Sequence, residues 1–212
     1  MFDWFRKAKR IATLDELEDF LDRNAAFLVQ KCIFEYSRAR AGRFADQLFK
    51  EPEFRAALEG SRWRAYPYGL MLVGEMVEGQ LRAVAAEHKL GMLETMRRVC
   101  LRALARYPRP EVLDEAEWIG ARERVSDRMA RLQLAAPKAV KDIPLQDAQA
   151  IFNLMPIHKS LRTHDYELVR NSLRVTLCRI YEDFAAQADL PRLAALAGEA
   201  DAASHQGAVR RA

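Results

Sequence analysis

The chain has 212 residues, half of them apolar, 30% charged and 9% aromatic, with a formal net charge of +4. A chain of this length buries about 70% of its unfolded surface, enough for a core without disulfides or metals, and its composition excludes disordered, collagen-like and disulfide-framework classes. The basic excess is mild and lies in the first half, short of the dense footprint of a dedicated nucleic-acid domain.

The first twelve residues form a basic, aromatic segment. Phe2, Trp4 and Phe5 stand beside Arg6, Lys7, Lys9 and Arg10. There is no apolar core of a secretory signal here. Rings beside cations suit the interface of an anionic membrane, so Phe2, Trp4 and Phe5 are candidate membrane contacts. The competing expectation is that these rings pack on the protein body.

Thr13-Leu14-Asp15-Glu16 reads as a capping box, with Thr13 as N-cap. Leu14, Leu17, Leu21, Ala25, Leu28 and Cys32 follow at helical spacing, with Phe20, Phe27 and Phe34 expected to widen the buried face. Gly42 is the expected stop. A turn over 44–49 precedes a short helix from Pro52 to Gly60. Residues 61–69 read as an aromatic, basic loop.

From Leu70 to Arg106 the periodicity is helical but inconsistent with one straight helix. Leu70, Val73, Val77, Leu81, Val84 and His88 share one stripe of about 80°. The same stripe, continued, meets Arg102 and Arg106, while Leu93, Met96, Cys100 and Leu104 turn elsewhere. The helix therefore kinks near Gly91 or changes partners there.

Pro108 and Pro110 end that element, and a further helix is expected over 111–136. Residues 137–144 offer an internal boundary. A compact helix spans 145–155 and stops at Pro156. Thr163 is then the expected cap of a long helix over 164–188. Its main face is Val169, Leu173, Thr176, Leu177, Ile180 and Phe184, with Leu168, Val175 and Cys178 on a second side. Two apolar sides imply a central helix or a second subunit. Pro191 starts a last short helix, and 199–212 reads as a flexible tail. The expected fold is an all-α, single-domain helical bundle of about five main helices with short connecting helices, spanning 13–198.

No glycine-rich phosphate loop, His-Glu-x-x-His, Cys-x-x-Cys or Gly-x-Ser-x-Gly pattern occurs. Cys32, Cys100 and Cys178 are expected to be free thiols serving as small hydrophobes. His164 and Glu167, with His88 from a facing helix, form a weak candidate metal set. The stronger reading makes them ordinary helix-start and boundary residues, and no metal or cofactor is predicted. Lys159 and Arg162, between two helices, are candidates for holding an anion.

The strongest charge feature is the ridge Arg98, Arg102 and Arg106. Together with Arg62, Trp63 and Arg64 it is a candidate surface for phosphates, RNA or an acidic partner. Pairing with Asp15, Asp19 and Asp22 on the first helix is the structural alternative. The expected function is a non-catalytic interaction or scaffold protein acting through protein–protein contacts or self-association. Nucleic-acid or phosphate binding, and a metal- or cofactor-dependent enzyme with a site between helices, are the alternatives. No apolar run reaches the roughly 20 residues of a membrane span. The alanine- and arginine-rich composition points to a bacterial, cytoplasmic protein, with peripheral contact at the inner face of the membrane as a variant.

Overall fold

The computed structural model describes residues 10–85 and 89–198. Phe2, Trp4, Phe5, His88 and the 199–212 tail lie outside the described residues. The architecture is an all-α, single-domain bundle with short connecting helices. Among the described residues the one β-type pairing is a bridge between Ile11 and Ala188.

Helix α1 spans Leu14–Ala41. Thr13 Oγ1 accepts the Glu16 N–H at 3.2 Å, and the Glu16 carboxylate accepts from the Ala12 N–H at 2.9 Å. The reciprocal bond thus reaches one residue further back than in the usual capping box. Gly42 ends the helix at φ +52°, a backbone region that a side chain disfavours.

After α2 (Ala45–Leu48), helix α3 runs unbroken over Pro52–Val84. This corrects two expectations, a stop at Gly60 and a loop over 61–69. Side chains brace this stretch one turn at a time. Ser61 donates to the Ala57 carbonyl, and Trp63 and Arg62 both donate to Glu59. Pro67 lies inside the helix and forfeits one backbone bond, a local cost that burial overrides. The glycines serve close approach: a Cβ on Gly69 would lie 2.5 Å from the Ala25 carbonyl oxygen of α1.

Gly69 through Glu78 are buried on every side, so α3 is the central helix. Helix α4 spans Lys89–Ala105, and the division from α3 falls just ahead of Gly91. The two pack on each other and share two further partners. α3 packs on α1, on α5 (Glu115–Arg131) and on α7 (Tyr166–Gln187), whereas α4 packs on α1, α3 and α5.

Helix α5 is shorter than expected because Asp114 and Glu117 form a full capping box that fixes its start. Its end tightens into a 3₁₀ turn, Leu132–Leu134. A 3₁₀ stretch, Val140–Gln146, and α6 (Ala148–Asn153) lead to α7. Thr163 is not the cap of α7; the preceding residue is Asp165, whose carboxylate is drawn to Tyr36 (2.7 Å) and Arg40 (2.6 Å). A last helical stretch, 190–198, starts where Asp189 accepts the Arg192 N–H.

The main face of α7 is buried as its spacing predicts. Its second side is not: Leu168 is 61% exposed and Val175 55%. The central position that two apolar sides suggested belongs to α3. Helix α7 runs antiparallel along α1, with Phe184 on Phe20 at one end (centroids 4.9 Å apart) and Val169 and Asp165 at Cys32 and Tyr36 at the other. Phe27 and Phe34 lie off the face that meets α7 and emerge 51% and 37% exposed, the Phe34 ring resting against Phe49. They do not widen the buried face.

Candidate functional site

The arginine ridge packs against the first turns of α1. Arg102 lies 2.9 Å from Asp15 and 2.8 Å from Glu18. Arg106 lies 2.6 Å from Glu18, 2.7 Å from Asp19 and 3.5 Å from Asp22. Burial opposes the Arg106 charge, but the bonds from Asp19 and Glu18 outweigh it and hold the guanidinium protonated. Arg97 is bidentate to Glu94, and Arg98 donates to Thr95. A phosphate at this ridge would have to displace four carboxylates of α1.

The Arg62–Trp63–Arg64 group lies on α3 rather than on a loop. Arg64 bonds Glu117 of α5 at 2.8 and 3.2 Å and the Val112 carbonyl at 3.1 Å. Trp63 stacks edge-on with Tyr66 and Tyr107. Both tyrosine hydroxyls donate to Asp22. Burial first, then the Asp22 carboxylate, pushes both phenols up, so they stay protonated donors. Their rings are committed to one another, not open to a base.

Arg162 is turned inward, over the Phe152 ring, and donates to the Phe152 and Asn153 carbonyls at the end of α6. It caps a helix, as cations at C-termini do. Lys159 is exposed nearby. His164 is exposed and Glu167 pairs with Arg170. Among the described residues no group of three or more His, Cys, Asp or Glu side chains converges as a metal site. Burial raises the Cys32 and Cys100 thiols to about 12, far from nucleophilic thiolates.

A concave feature also lies where sequence spacing gives no hint. An open cleft of about 1210 Å³ runs between the C-terminal half of α3, the end of α5, residues 132–147 and the end of α7. Met71, Met76 and Ile143 contribute apolar lining, with Tyr68 and Tyr181 at its margin. Of the charged residues that also line it, four converge. Glu75 lies 2.5 Å from Arg128 and 3.0 Å from Lys138, and Asp147 lies 3.5 Å from Arg128.

Arg128 is itself 10% exposed. Burial first, aided by Glu75, raises the Asp147 carboxyl against the pull of Arg128. Asp147 Oδ2 is buried without a hydrogen bond. One turn further along α3, Glu78 is fully buried and bidentate to Arg82, at 2.9 and 2.6 Å. Arg82 in turn donates to the Leu132 and Ala135 carbonyls. These two carboxylates of α3 therefore anchor the strap 132–147 that walls the cleft.

Glu75 and Glu78 stand off the Leu70–His88 stripe, so a helical wheel assigns them to solvent. Glu78 is explained by Arg82 one turn on, and Glu75 by Arg128 and Lys138, which only the fold brings to it. No helix among the described residues is long and apolar enough to cross a membrane. No protein-family model, curated protein or solved structure matches the chain.

Proposed function

We propose that this protein is a non-catalytic interaction protein, a helical scaffold that receives a segment of a partner chain in the cleft beside α3. The observation that carries the reading is the cleft itself. At about 1210 Å³ and open to solvent, it exceeds the roughly 300–1,000 Å³ of small-molecule pockets. Its methionine lining is adaptable, and a groove between helices suits an amphipathic helix or an extended peptide.

Six of the charged groups lining the cleft pair with one another. Glu75, Asp147, Arg128 and Lys138 form a neutral set, and Glu78 with Arg82 forms another. Such pairs shape a wall and fix a strap. The exposed side chains of Leu161, Leu168 and Val175 provide a second apolar surface for contact.

The reading is tested with a photo-crosslinking residue placed in the full chain at Ala83 or Gln146, both exposed and both lining the cleft. Arg55 and Glu115, exposed and outside it, are the controls. One discrete protein adduct from the cleft positions, absent from the controls, is the expected result. Binding of that protein, once purified, should weaken at least about tenfold when Ala83→Trp fills the cleft. Identical adducts from all four positions, or undiminished binding by the filled variant, would overturn the reading.

A further inference from the structure

We propose that the outer face of α1, with the turn that follows it, docks on the surface of anionic lipid membranes. Arg23, Phe27, Lys31, Phe34 and Arg38 follow one another at four- and three-residue spacing, which aligns them in one stripe. The stripe is about 23 Å long at 1.5 Å per residue. Arg43 and Phe44 extend it, the guanidinium lying 4.8 Å from the ring centroid.

Three rings on this face are open to solvent: Phe27 at 51%, Phe34 at 37% and Phe44 at 57% exposure. The acidic groups nearby are Glu35, which pairs with Lys31 at 2.5 Å, and Asp46. Arg40, just behind, is engaged by Asp165. The face thus presents Arg23, Arg38 and Arg43 around three phenylalanines.

The interleaving selects the partner. Protein interfaces concentrate apolar side chains in a core depleted of charge. Here a cation separates each ring from the next, so no such core can form. A headgroup layer accepts the alternation directly, because rings enter the acyl boundary while long cationic side chains reach phosphates beside them. Single-stranded nucleic acid also combines stacking with cations, but it is held in grooves. This face is the convex outside of a helix.

Full-length protein is mixed with sedimentable vesicles of phosphatidylcholine alone and of phosphatidylcholine with phosphatidylglycerol. The expected result is partitioning onto the anionic vesicles only, weakened by salt. The double variant Arg38→Glu with Arg43→Glu should reduce that partitioning at least about tenfold. Phe27→Ser with Phe44→Ser should reduce it comparably while leaving the residual charge preference intact. Both pairs are exposed, and circular dichroism melts verify that the bundle is retained.

Absence of binding by the native chain overturns the proposal. So does binding by both double variants that equals that of the native chain. So does loss of binding on replacing Phe2, Trp4 and Phe5 by serine when the α1 variants bind normally, which would assign the contact to the N-terminal segment. Tighter binding to a single-stranded oligonucleotide than to anionic vesicles, lost in the same α1 variants, would reassign the face to nucleic acid. None of these measurements involves the cleft, so they stand or fall apart from the proposed partner site.

Discussion

Asp147 is a carboxylate that the fold does not favour in its charged form. It is buried, one oxygen has no hydrogen bond, and it shares Arg128 with Glu75, which holds the same guanidinium nitrogen more closely. Burial, with Glu75 second, raises its native pKa above the unfolded value. Both states are protonated well below the carboxylate range, so the residue contributes nothing there. As pH rises past the unfolded value the unfolded chain releases its proton first, and native stability falls until the native value is passed. Asp147→Asn removes that penalty while Arg128 keeps Glu75. The variant should match the native chain in acid and melt at a higher temperature at neutral pH; a lower neutral melting temperature would show that the Arg128 pair outweighs desolvation.

Glu117 has the opposite sign. Its bond to Arg64 lowers its pKa, so the stabilisation is full above the usual carboxylate range and is lost as pH falls through the native value. Both partners are about two-fifths exposed, which limits the bridge to about 0.5 kcal/mol. Glu117→Gln keeps an oxygen for the cap. Its melting curve should lie about 1–2 °C below native at neutral pH and coincide with it in acid.

Among the elements, the contact between α1 and α3 rests on an absent side chain. A Cβ at Gly69 would stand 2.5 Å from the Ala25 carbonyl oxygen and 3.0 Å from its carbon, and neither backbone atom can step aside. Gly69→Ala should therefore push two core helices apart and cost about 3 kcal/mol in urea unfolding. At Gly74 the obstacles are side chains, Cys100 Sγ at 2.9 Å and Met129 at 3.1 and 3.3 Å. The thioether can swing, so Gly74→Ala should cost less than half as much. A reversed order would mean that the two backbones are not in contact at Gly69.

That contrast also marks what the chain reveals before folding. Thr13 and Gly42 declare the ends of α1, because a cap and a left-handed glycine act on their own neighbours. The buried face of α7 follows from periodicity for the same reason. Gly60, Pro67 and Gly69 carry the local signature of a loop, yet lie in a helix, because their roles are set by α1 and by burial. The arginine ridge and its acidic partners were legible as a complementary pair. The cleft was not. Glu75 and Glu78 resemble solvent-facing carboxylates until α5 brings Arg128, the strap brings Lys138, and the carbonyls at Leu132 and Ala135 hold Arg82 over Glu78.

For the molecule as a whole, that strap is where stability and access to the cleft meet. Between Leu132 and Ile143, which belong to the core, residues 133–142 bury no side chain fully, and charge fastens the stretch: Arg82 to two carbonyls, Lys138 to Glu75, and Arg174 to the Lys141 carbonyl and Asp142. Segments held this way open ahead of global unfolding. Arg82→Met would break two kinds of bond together. It frees the strap, and it strands Glu78, which is fully buried, without a counter-charge. Stranding a buried charge costs about 3–5 kcal/mol, whereas replacing both members of a buried pair by apolar side chains is often neutral. The single variant should therefore lose about 3 kcal/mol in urea unfolding. The double variant Arg82→Met with Glu78→Met should recover most of it. Amide exchange over 132–142 should nevertheless stay fast in the double variant, since the bonds to Leu132 and Ala135 are gone in both. If exchange there returns to the native rate along with global stability, the strap is held by packing and not by Arg82, and the cleft wall is a fixed part of the core.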